Sequence, residues 1–184
     1  LATGVGVLIL VIAAASWREA LRRRAPISPW WATATLVWVC VQGAFGALTV
    51  TMKLYPAIVT LHLLGGIGLL VLLAVQSQAF VPAPIALPAP LRRGLAAVAL
   101  LSLVHVALGG WVSTNYAVLA CRDFTTCQGS WWPEMDFAQG YTVLRELGRA
   151  GDGAWLPFAA LTAIHYTHRL VAYLVLAALV LLAW

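Results

Sequence analysis

All four histidines of this chain, His62, His105, His165 and His168, fall inside stretches that otherwise read as apolar helix. Two of them, followed by Arg169, lie in AIHYTHRLVAY over residues 163–173. A polar ring in hydrocarbon must find a partner, so an intramembrane histidine is a functional candidate by default. Neutral imidazole is a good axial ligand for haem iron, and the mostly apolar macrocycle suits the interior of a helical bundle. Metal transport, a proton relay and quinone binding are the competing uses of the same rings.

Depth along the helices narrows the choice. His62 is six residues past Pro56 and His168 eleven past Pro157, which puts them roughly 9 and 16 Å into their helices at ~1.5 Å per residue. Both belong to the same outer half of a bilayer. Gly46, Gly65-Gly66 and Gly109-Gly110 permit close approach of a flat macrocycle or of a neighbouring backbone. Arg169 is placed to reach a propionate by a charge-assisted bond. His105 is expected to hydrogen-bond between helices. Of His165 and His168, one turn apart, only one needs to be a ligand.

The elements that carry these residues follow from composition. The chain is 62% apolar and 9% charged, with a mean hydropathy of +0.91, and apolar runs longer than 18 residues recur, as in 57–75. That is an all-α, polytopic membrane bundle, and a soluble core of this size does not need such runs. The formal charge of +5 is too small and scattered to argue for nucleic acid. Five spans are expected: about 1–16, 30–52, 57–80, 94–115, and one opened by Pro157. WREALRRRAPISP (17–29) reads as a basic loop, KLYP as a tight turn, and VPAPIALPAPLRR (81–93) as a linker kept extended by Pro82, Pro84, Pro88 and Pro90. This gives a first part over 1–80, the linker 81–93, and a second part over 94–184 with a long polar loop at 116–156. Tryptophans near the span ends, Trp30-Trp31, Trp131-Trp132 and Trp155, read as an aromatic belt in contact with lipid headgroups. Both ends of the chain lie in apolar runs, and we expect a piece of a longer protein.

Arginine sets the expected orientation. Segments 17–28 and 81–93 carry Arg18, Arg22, Arg23, Arg24, Arg92 and Arg93, whereas the short turn on the other side carries only Lys53. By the positive-inside rule the first two are cytoplasmic and 116–156 is outside. Cys121 and Cys127 then lie in an oxidising compartment at a spacing that a disulfide can close. Two free thiols, or half of a zinc site, are the alternatives. Cys40 reads as a buried, inert thiol.

The sequence also repeats weakly. VQGAFGALTVT (41–51) and VHVALGGWVST (104–114) share Val, Ala, Gly and Thr at 41/104, 44/107, 46/109 and 51/114, with Gln42 against His105. Each leads into a helix bearing His62 or His168. The unit is a helical hairpin with a glycine-bearing first arm and a histidine-bearing second arm.

Taken together, ALGGWVSTNYAVLACRDFTTCQGSWWPEMDF, IHYTHRLVAY and VQGAFGALTVTMKLYPAIVTLHLLGG resemble the haem A synthase (CtaA) family of bacteria and mitochondria. The resemblance covers nearly the whole chain. It implies eight helices in two pseudo-symmetric four-helix halves, of which this chain holds the second to the sixth. It implies oxidation of the C8 methyl of haem O to a formyl group, giving haem A for terminal oxidases, in the plasma membrane of a bacterium.

By the same resemblance, His62 matches the fourth-helix ligand of the half that takes substrate haem O. His168 matches the sixth-helix ligand of the half that holds haem b, with Arg169 and His165 as ancillary contacts. Cys121 and Cys127 match the paired cysteines of the loop, where Arg122, Phe124 and Thr125 replace the prolines and tryptophan common in the family. The partner ligands fall before Leu1 and beyond Trp184, so the chain alone is expected to be inactive. The electron donor is unidentified, and haem O synthase or a second copy are the partners considered. A non-catalytic di-haem electron carrier of b type is the alternative function.

Overall fold

Proline marks the start of four of the five long helices. Its missing N–H is one of the donors that a helix leaves unpaired anyway, and its fixed φ is already helical. The computed structural model describes residues 2–22, 28–81 and 85–184. The helices are α1 (Ala2–Leu21), α2 (Pro29–Thr51), α3 (Pro56–Ser77), α4 (Ala89–Thr114), the single turn α5 (Phe137–Gly140) and α6 (Phe158–Ala183), with short 3-10 turns at Gln78–Phe80 and Ala117–Leu119. Five of these are long and apolar enough to cross a membrane. Among the described residues there is no strand, only isolated bridges at Cys127–Ser130 and Arg149–Trp155. The expected all-α, multi-span class is what the chain adopts.

Two boundaries differ from expectation. α1 runs on to Leu21 instead of ending near residue 16. Alanine, leucine, arginine and glutamate are strong helix formers, and Arg18 in the last turn complements the carbonyl end. α4 begins at Ala89 with Pro90 in its first turn and Pro88 as its cap, so Arg92 and Arg93 are helical. Proline stops a helix from continuing into it but not from starting at it. Arg23, Arg24, Pro82 and Pro84 lie outside the described residues. Cys40 is exposed on α2, contrary to the expected burial, because a lipid-facing position needs no protein cover.

The chain divides into two compact units, Leu1–Leu48 with Leu64–Ala86, and Thr49–Leu63 with Leu87–Trp184. In the first, interhelical polar bonds do the joining, as expected where lipid removes the hydrophobic drive between helices. The Trp17 indole donates to Thr33 Oγ1 at 3.0 Å and the Trp38 indole to the Gly65 carbonyl at 2.8 Å. Gln76 donates to Thr35 Oγ1 and to the Trp31 carbonyl. The buried Gln42 amide lies where a side chain on Gly65 would be: a Cβ there would fall 1.8 Å from its Nε2.

The second unit has a small apolar core of Ala57, Trp111, Val112, Ala117 and Ile164, flanked by Tyr55, Tyr141 and Leu161. α5 is capped by Asp136, which accepts from the Gln139 N–H at 3.0 Å. Its last residue, Gly140, packs so closely on α6 that a Cβ would meet the Ala160 carbonyl oxygen at 2.9 Å. The Trp111 indole donates to the Gly140 carbonyl at 2.9 Å, fastening α4 to the same turn. This junction positions the long α4–α6 connection over the histidines of α6.

Candidate haem-binding site

Thr162, His165, Tyr166 and Arg169 are spaced i, i+3, i+4, i+7 and so share one face of α6. That face grips the α4–α6 connection. Thr162 Oγ1 accepts from Gln128 Nε2 at 2.7 Å, and the Tyr166 hydroxyl donates to the Trp131 carbonyl at 2.7 Å. The Arg169 guanidinium donates to the carbonyls of Asp123 and Thr126, each at 2.7 Å, and of Cys121 at 3.1 Å. The Cys121 N–H donates to His165 Nδ1 at 3.2 Å.

The gripped segment is itself braced. Cys121 and Cys127 form a disulfide with Cα atoms 4.7 Å apart, the outcome expected from their spacing. The Asp123 carboxylate accepts from the Gln128 and Gly129 N–H groups at 2.8 and 3.0 Å and from the Thr126 hydroxyl. These bonds, the Thr126 hydroxyl foremost, lower its pKa from 3.8 to about 2.

His168 points to a different neighbour. Its ring stacks on His105 of α4, with centroids 4.1 Å apart and planes 2° from parallel. Its Nδ1 is buried with no hydrogen-bond partner among the described residues. His62 of α3 and His105 each have a buried Nδ1 in the same condition. A buried ring nitrogen without a partner among the described residues is compatible with a ligand such as haem iron. Among the described residues no three His, Cys, Asp or Glu side chains gather into a metal cluster; axial ligation of haem asks only for single imidazoles.

Two features escaped the sequence. His105 was expected to hydrogen-bond between helices, and its side chain stacks on His168 instead. Arg145 sits in a stretch of mixed charge that gave no sign of its role. It is 4% exposed, donates to Asn115 Oδ1 at 2.6 Å and to the Arg149 carbonyl at 3.1 Å, and lies 5.6 Å from the Trp111 ring centre. Asn115 caps α4, so the carbonyl end of that helix offsets part of the buried charge. Burial pushes the Arg145 pKa down from its usual value. Arg145 thus ties the connection to α4, as Arg169 ties it to α6.

Comparison with known proteins adds a family to this geometry. The family model COX15-CtaA, described as cytochrome oxidase assembly protein, matches residues 1–184. The heme A synthase of Shewanella oneidensis strain MR-1 is 34% identical over 189 aligned residues, covering 100% of this chain. The chain spans about half of that relative, 56% of its length.

Proposed function

Because the chain belongs to the COX15-CtaA family of cytochrome oxidase assembly proteins, we propose that it serves haem A synthesis, oxidising the C8 methyl of haem O to a formyl group. The observation that carries this reading is the contrast between neighbouring histidines. The Nδ1 of His165 is held by the Cys121 N–H of the loop. His168 has no such bond from the loop, and its Nδ1 is buried with no hydrogen-bond partner among the described residues. An imidazole that the loop does not engage is the one left available to a ligand such as haem iron.

His168 is therefore the proposed ligand of haem b, and His62, with its own unpartnered nitrogen, the proposed ligand of substrate haem O. Bound haem supplies the redox-active iron, while the protein binds, orients and shields it. His165 and Arg169 fix the disulfide-braced loop against the ligand helix. Arg169 makes no ion pair among the described residues, and its three carbonyl bonds leave its charge uncompensated, which suits an anionic propionate. The loop is proposed to lie on the extracytoplasmic side, where its disulfide persists.

The test is conversion. Cells carrying the full-length gene form haem A from haem O, and His62→Ala and His168→Ala each abolish it. Undiminished haem A in both variants contradicts the reading. A full-length protein that binds haem and converts none is the electron carrier instead.

A further inference from the structure

We infer that His105 and Gly109 of α4 form a seat that fixes the ring plane of His168, making His105 a positioning residue for the axial ligand. The inference rests on the reading of His168 as that ligand. Two contacts carry it. The two imidazoles lie face to face, 4.1 Å apart and 2° from parallel, so His168 cannot turn about its ring axis without driving into His105. Gly109, one helical turn on, closes the edge: a Cβ there would sit 3.1 Å from His168 Cε1 and 3.7 Å from each ring nitrogen.

Residues 105 and 109 are four apart on one helix face, so a single rigid element provides both contacts. The side chain at 105 is also costly for mere packing. Its Nδ1 is buried without a partner, where leucine or phenylalanine would fill the space with no polar atom to satisfy. In the first hairpin the matching position is Gln42, which offers no flat ring. The seat is therefore a property of α4, not of the repeat.

The plane of an axial imidazole governs the g-anisotropy of low-spin ferric haem. The experiment uses the full-length protein, purified and reconstituted with haem, and reads haem per protein and the electron paramagnetic resonance spectrum. His105→Leu is expected to lower the haem retained per protein and to move the g-values. His105→Phe, which keeps a flat ring, is expected to restore both. Gly109→Ala is expected to move the g-values by displacing the ring, and it carries the test alone if His105→Leu fails to elute as folded protein. Wild-type g-values and haem content in His105→Leu and Gly109→Ala overturn the inference, as does a His105→Phe variant no better than His105→Leu. In parallel, His168→Ala must lose its haem; if it does not, the ligand assignment fails rather than the seat.

Discussion

The α2–α3 and α4–α6 hairpins begin from a related sequence pattern and finish differently. In the first, the connection is a few residues long, and α2 is closed by Lys53 and Leu54, both left-handed at φ 51° and 60°. In the second, the connection is a long segment braced by a disulfide and gripped from two helices. At the paired positions 42 and 105, the first hairpin sets an amide against Gly65 and the second sets an imidazole against His168. A short turn needs only local backbone bonds. A long connection needs side chains that reach back to it, and α6 supplies them from Thr162, His165, Tyr166 and Arg169 on one face.

The sharpest way to break this contrast is to remove the grip. Arg169→Met leaves three carbonyls without their donor and should destabilise the gripped segment by about 3 kcal/mol or more. Hydrogen exchange of the 121–130 amides should accelerate while α2 and α3 are unaffected. Arg169→Lys should rescue little, because an ammonium cannot reproduce the guanidinium fork.

Next in size is a pair of glycine substitutions. Gly140→Ala forces a Cβ against the Ala160 backbone at 2.9 Å and should cost about 1–3 kcal/mol in thermal unfolding of the detergent-solubilised protein. Gly65→Ala meets only the Gln42 side chain, which can swing away, so its loss should be smaller. Equal losses would mean that the second hairpin is no more tightly constrained than the first.

The Asp123 brace gives a smaller, pH-dependent effect. Its folded pKa, about 2, lies below the ordinary 3.8, so its contribution is full above the ordinary value and disappears as pH falls through about 2. Amide protection at Gln128 and Gly129 should follow that window, and Asp123→Asn should abolish the dependence. Smallest of all, Lys53→Gly should stabilise the short turn by about 1 kcal/mol, by relieving a left-handed lysine. A thermal melt measures it.

Much of the fold was legible because lipid simplifies the reading: apolar runs gave the five spans, and Pro29, Pro56 and Pro157 lie at or beside helix starts. Pro90 misled because a residue that ends one helix also opens another. The disulfide was legible from spacing joined to orientation. The choice between His165 and His168 was not, since one turn of helix separates two identical side chains and only the loop's backbone distinguishes them. Nor was the stack on His105 legible: a histidine within a span announces a need for a partner without naming it. Arg145 gave no local signal because its partners, Asn115 and Trp111, lie about thirty residues away.

The account turns on which imidazole of α6 offers its lone pair. The most direct measurement is the haem content of the full-length protein carrying His168→Ala, set beside that of His165→Ala. We expect His168→Ala to lose its haem with the loop amides still protected, and His165→Ala to retain haem with those amides exchanging faster. Haem lost from the His165 variant and kept in the His168 variant would contradict the account.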